Sequence, residues 1–149
     1  MKKYLFFILF VLLASCKSIY ERAPQMRSFP CDLEIKDFYE KAINLSQLEG
    51  FFVAELDTTK ENCLIVLQKN YKLIGSVNDR TVEADQIRIR YSKMDKTVWY
   101  SSGIYKNEKG KISFTPPAKN DADRHKNAIS LTLDRLFVQC NPGQFPNRP

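Results

Sequence analysis

Few residue types in this chain could do chemistry: four cysteines, one histidine, scattered carboxylates, and a group of cations set among aromatics. His125 lies between Arg124 and Lys126, with Asp123 close by. A zinc site needs His, Cys or carboxylate ligands at characteristic spacing, and a Cys–His nucleophile pair needs a recognisable set of partners. Neither pattern surrounds His125, which reads as a solvated residue. Glu55, Asp57, Glu83 and Asp85 form a glycosidase-type carboxylate pair only if folding makes them converge. The five glycines are isolated, whereas a phosphate cradle needs several together so that backbone N–H groups can approach the ligand. The pattern therefore names no catalytic residue, metal ligand or cofactor, and an enzyme is not expected.

The most suggestive set for binding is Arg88, Arg90 and Lys93 with Trp99, Tyr100 and Tyr105, on what read as neighbouring strands. Guanidinium and indole faces can stack on a sugar, a peptide or an acidic partner. Against this stands the reading in which the aromatics fill a core and the cations form a solvated face.

The N-terminus carries a targeting pattern. Met1-Lys2-Lys3 is a short positive region, and Tyr4 to Ala14 is an unbroken apolar run. At ~1.5 Å per residue the run covers about half of a ~30 Å hydrocarbon core, so it reads as the apolar part of a signal peptide and not as a membrane span. The residues that follow it, Leu13-Ala14-Ser15-Cys16, resemble the lipobox of bacterial lipoproteins. The resemblance implies cleavage before Cys16 and a diacylglyceryl group on its thiol, usually with an N-acyl chain as well. One acyl chain holds a protein marginally and two or more hold it stably. In double-membrane bacteria the resemblance further implies sorting to the outer membrane, because Lys17 is not the Asp that commonly signals inner-membrane retention. No acidic surface-display stretch follows, which implies a domain facing the periplasm.

Without Lys2 and Lys3 the chain keeps 21 basic residues against 17 acidic ones, a net +4. That is too low a density for a nucleic-acid binder. An exported chain is oxidised, and Cys31, Cys63 and Cys140 allow one disulfide and one leftover thiol. The positions favour Cys31 with Cys140, one just before the first expected element and one at the end of the last. Cys63 opens the apolar run Cys63-Leu64-Ile65-Val66-Leu67 and reads as a small buried hydrophobe.

The elements that must position these residues follow from period. Residues 17–30 show neither helical nor strand period and include two prolines, which reads as a tether. A domain starts at Cys31, with Asp32 as N-cap of a helix whose apolar positions are Ile35, Phe38, Tyr39, Ala42 and Ile43, ended by Gly50. Strands are expected at 51–56, 71–77, 81–91, 97–105 and 111–115, clearest where Ile87, Ile89 and Tyr91 alternate with Arg88 and Arg90. Gly103 suggests a β-bulge. Residues 59–69 carry both a capping-box pattern, Thr58-x-x-Glu61, and a strand-like run, and are assigned to strand. Residues 120–140 are assigned to a helix with Ile129, Leu133, Leu136 and Cys140 on one side and Asn141-Pro142-Gly143 as its stop.

The expected organisation is a signal peptide over 1–15, a lipid anchor and flexible tether over 16–30, and one α+β domain over 31–149. That domain is an antiparallel β-meander covered by an N-terminal and a C-terminal helix. Asn44 to Val53 resembles the first motif of lipocalins, where a short helix leads through a glycine into the first barrel strand, although Phe52 stands at that family's Trp. The resemblance implies a closed barrel carrying a small apolar ligand. The functional expectation is a membrane-anchored, non-enzymatic binding or assembly module for an envelope protein, with the lipocalin-like carrier as alternative.

Overall fold

A computed structural model describes residues 26–76, 79–117 and 122–144, without the side chains of 122–128. Cys16, the signal region and the tether as far as residue 25 lie outside the described residues, as does the side chain of His125.

The elements in chain order are β1 (Arg27–Pro30), α1 (Ile35–Leu48), β2 (Phe52–Thr58), β3 (Asn62–Ile74), β4 (Thr81–Ser92), β5 (Thr97–Glu108), β6 (Lys111–Thr115) and α2 (Ala122–Cys140). All strand pairings are antiparallel, in the order β1-β5-β4-β3-β2. β6 pairs the same side of β5 as β1, at Ile104–Glu108, while β1 occupies Thr97–Tyr100. The expected α+β meander with a helix at each end is the fold. The sheet is open, with β2 at one side and β1 and β6 at the other. The helix–glycine–strand step of the lipocalin resemblance is present at Gly50, but the barrel it implies is not closed among the described residues.

Both helices pack on one face of the sheet. Ile35, Phe38 and Ala42 of α1 and Ile129, Leu133 and Leu136 of α2 form one buried cluster with Ile65, Leu67, Ile87, Ile89, Tyr91 and Val98. The Phe38 and Tyr91 rings meet at 4.4 Å, and the Tyr91 hydroxyl donates to the Leu33 carbonyl at 2.6 Å. The Cys31–Cys140 disulfide ties the entry of α1 to the end of α2. Beside it, Asn141 Nδ2 donates to the Pro30 carbonyl at 2.8 Å.

Four sequence expectations change. The tether ends sooner than residue 30, because Arg27–Pro30 form β1, placing Phe29 in the core. Asp32 is not the helix cap: Glu34 holds that position, and neither caps with its side chain because each pairs with a lysine of the β4–β5 turn, Asp32 with Lys96 and Glu34 with Lys93. Residues 62–74 make one strand instead of two, with a register shift between Lys69 and Lys72 where Asn70 takes φ 56°, a left-handed conformation that Asn tolerates. Gly103 marks no bulge; it pairs in register with Gln86. Thr58, the threonine of the capping-box pattern, ends β2, and it is the next residue, Thr59, whose Oγ1 accepts from the Asn62 N–H at 3.0 Å in the turn into β3.

Candidate functional site

Directly opposed residues of an antiparallel ladder share a face, so the register settles where each candidate points. Arg90 pairs with Trp99 and Arg88 with Ser101, while Tyr105 pairs with Ala84 two rows along. These residues lie on the face opposite the helices. On β3 the same rows continue as Leu64 beside Arg90 and Val66 beside Arg88. Arg88, Arg90, Trp99 and Tyr105 thus share one face, with Tyr105 six residues along β5 from Trp99. Tyr100 is not among them: it pairs with Ile89 on the helix-covered face, its ring 5.9 Å from Phe29. Lys93 also departs, held at 2.5 Å by Glu34, whose hydrogen bond raises the ammonium pKa.

The two arginines differ in setting. Arg88 lies over the Phe114 ring, 4.3 Å from guanidinium carbon to centroid. Phe114 pairs with Tyr105 in register, so the stack is built on β6, an element whose aromatic was not among the candidates. The period-two spacing of Ile112 and Phe114 is the signal that could have found it. With the Gln86 amide oxygen turned toward Arg88, it accepts from Nε at 2.7 Å and from Nη2 at 3.2 Å. In that orientation the Gln86 amide nitrogen faces the Gln68 amide at 2.8 Å and donates to it once Gln68 presents its oxygen. Arg88 is therefore fixed by an aromatic face and a buried amide pair. Arg90 is exposed, as Arg88 is, but among the described residues it has no ion pair or side-chain hydrogen bond.

The four carboxylates separate into two pairs on opposite faces of the sheet. Glu55 and Asp57 lie on the open face, in the rows of Arg88 and Arg90 but two strands away, a backbone distance of ~9–10 Å at the usual strand spacing. Glu83 and Asp85 alternate onto the other face, where Asp85 is buried and accepts from Asn70 Nδ2. Cys63 is buried as expected. Burial, with the neighbouring Asp57 carboxylate second, pushes its thiol pKa up to about 12, which leaves little thiolate for nucleophilic chemistry. Among the described residues, no group of three or more His, Cys, Asp or Glu could hold a metal ion, and no helix is long and apolar enough to cross a membrane.

The fold and the site together define an α+β domain whose antiparallel sheet is covered on one face by two helices and carries arginines and aromatics on the other. No family model matches the chain, and a search of the curated proteins finds no match.

Proposed function

We propose that this is a membrane-anchored envelope lipoprotein whose domain is a non-enzymatic binding or assembly module. Cys16 carries the lipid, and the helix-free face of the sheet receives an envelope protein. The observation that supports the binding reading is the placement of Arg88, Arg90, Trp99 and Tyr105 on that one face. Arginine and large aromatics dominate the energetics of protein interfaces, and here a rigid sheet presents them. The lipobox pattern at residues 13–16 supports the anchoring, and the Cys31–Cys140 bridge agrees with an oxidising compartment. The same pattern, with Lys17 after the cysteine, supports the outer membrane and a domain facing the periplasm.

Two measurements test this. Palmitate labelling and intact mass of wild type and Cys16→Ala check the anchor: label that persists in the variant removes it. A photo-cross-linker placed at Ser101 on the open face, compared with one at Lys36 on α1, checks the surface. The expected result is a discrete adduct from position 101 alone that Arg90→Glu abolishes. Equal adducts from both positions, or none, defeat the assignment of the face.

A further inference from the structure

One end of the sheet carries exposed apolar side chains. Every residue of β3 from Asn70 to Ile74 is exposed, although the segment is apolar. Tyr71 is 53%, Leu73 58%, Ile74 47% and Ile112 60% exposed. The register explains how they group. Leu73, Val82, Asn107 and Ile112 form one row across four strands on the open face. Tyr71 meets the Phe52 ring on the same side, and Ile74 lies on the opposite face. This end is thus an apolar tip, flanked by Lys72, Arg80, Lys106, Lys109 and Lys111 against Asp79, Glu83 and Glu108. Monomeric soluble domains rarely gather apolar groups in this way without a partner.

The strand directions indicate the partner. β1 runs antiparallel to β5, from Arg27 opposite Tyr100 to Pro30 opposite Thr97, while β5 runs from Thr97 toward the tip. Met26 is therefore at the tip-facing end of β1, and the chain enters the domain from that side. Eight residues of β5 separate Tyr100 from Glu108, ~27 Å at strand rise. Ten residues separate Cys16 from Met26, ~33–36 Å when extended. A lipid on Cys16 can thus reach a bilayer on which the tip rests.

We propose that the β3–β6 tip is a membrane-docking surface that inserts Leu73 and Ile112 into the headgroup region of an anionic bilayer, orienting the anchored domain. This rests on the lipid anchor proposed above. Lys109 is paired with Asp79 at 2.7 Å, and the cations still exceed the acids by two, so exposed apolar side chains with a net positive flank make up the composition that binds such interfaces. The docked pose leaves Trp99, nine residues up β5 from Glu108, clear of the lipid.

The test uses the full acylated chain reconstituted into vesicles of phosphatidylethanolamine and phosphatidylglycerol whose acyl chains are brominated near the headgroup. Ile112→Trp and Leu73→Trp both replace exposed residues, so neither disturbs the core, and circular dichroism checks each. The expected result is blue-shifted, bromine-quenched emission from each introduced tryptophan, weakened by salt, with Trp99 of the wild type unquenched. Acylated chains whose introduced tryptophans stay unquenched, or in which Trp99 is quenched instead, overturn the docking while leaving the anchor intact. A mass showing no acyl groups overturns the anchor and the docking together. Concentration-dependent dimers that shield position 112 without lipid overturn the docking in favour of a second copy.

Discussion

Breaking the Cys31–Cys140 bridge is the perturbation with the largest effect that can be worked from the structure. The bridge spans 109 residues of sequence, and in the chain-entropy model a loop of that size restricts the unfolded chain by about 5 kcal/mol. Domains of this size are stable by ~5–15 kcal/mol in all, so the bridge is a third or more of the total. Local contacts do not replace it. Asn141 to the Pro30 carbonyl and Cys31 N–H to the Lys96 carbonyl, both at 2.8 Å, hold the same corner, but hydrogen bonds contribute only ~0.5–1.5 kcal/mol each. The perturbation is made twice: Cys31→Ala/Cys140→Ala, and wild type with its disulfide reduced, which keeps both sulfur atoms in the core. Urea unfolding should show both forms weakened by about 4–5 kcal/mol, with the midpoint lower by roughly 2–4 M for a typical slope. A loss below ~1 kcal/mol in the reduced wild type, beside a large one in the alanine variant, would mean that the sulfur atoms act by packing and that loop closure contributes little. That outcome refutes the entropic account.

Three further outcomes are expected. Because burial pushes the Cys63 thiol up to about 12 from an ordinary value of 9.0, its contribution is constant below pH 9. It falls by ~1.4 kcal/mol per pH unit from there to 12, as the unfolded thiol ionises and the folded one does not. Urea titrations of wild type and Cys63→Ala should therefore converge between about pH 9 and 11, and parallel curves would contradict this. Thr132 of α2 is fully buried and its hydroxyl has no hydrogen-bond partner among the described residues, so Thr132→Val should raise stability by about 1–2 kcal/mol in a thermal melt; a loss would show the hydroxyl to be satisfied. At Gly75, with φ +101°, a Cβ would meet the Asp79 carbonyl oxygen at 2.2 Å, whereas at Gly50, with φ +78°, the nearest contact is 3.7 Å from the flexible Lys69 side chain. Gly50→Ala should therefore cost only the ~1–2 kcal/mol of left-handed backbone and Gly75→Ala distinctly more, an order that chemical denaturation checks.

What could be read from sequence tracks what is local. Ile87, Ile89 and Tyr91 alternate with Arg88 and Arg90 because one face is buried and the other wet, and the pattern shows directly which side the arginines take. The same logic, carried across, would have separated Trp99 from Tyr100, since adjacent strand residues cannot share a face. β1 was not legible: with only Phe29 in the core, four residues are too few to show a period, and the strand exists because β5, about seventy positions later, offers an edge. The break expected between residues 69 and 71 falls at Asn70, inside one strand. A left-handed Asn serves a hairpin turn and a mid-strand irregularity equally well, and only the pairing with β4, which resumes at Lys72 after the register shift, distinguishes them. Asp32 had the chemistry of a cap, but Lys96 reaches it across the turn, a contact no window of sequence contains.

The open face resolves one further question, which arginine reports on binding. Ala84 and Gln86 are only 1% exposed although neither helix lies on their side; long neighbours cover them. Arg88 is one such neighbour, lying over Phe114 and bonded to Gln86. Truncating it would uncover an aromatic ring and leave a buried amide unpaired, a loss of stability before any partner is considered. A fixed guanidinium also costs little entropy to engage, so Arg88 suits a contact that is ready before the partner arrives. Arg90, exposed and paired in register with Trp99, supports nothing beneath it. Its reversal to Glu should leave the unfolding midpoint within ~0.5 kcal/mol of wild type while inverting the charge beside the indole. A loss of cross-linking in Arg90→Glu therefore reads as lost recognition, whereas the same loss in Arg88→Glu would confound recognition with a loosened sheet.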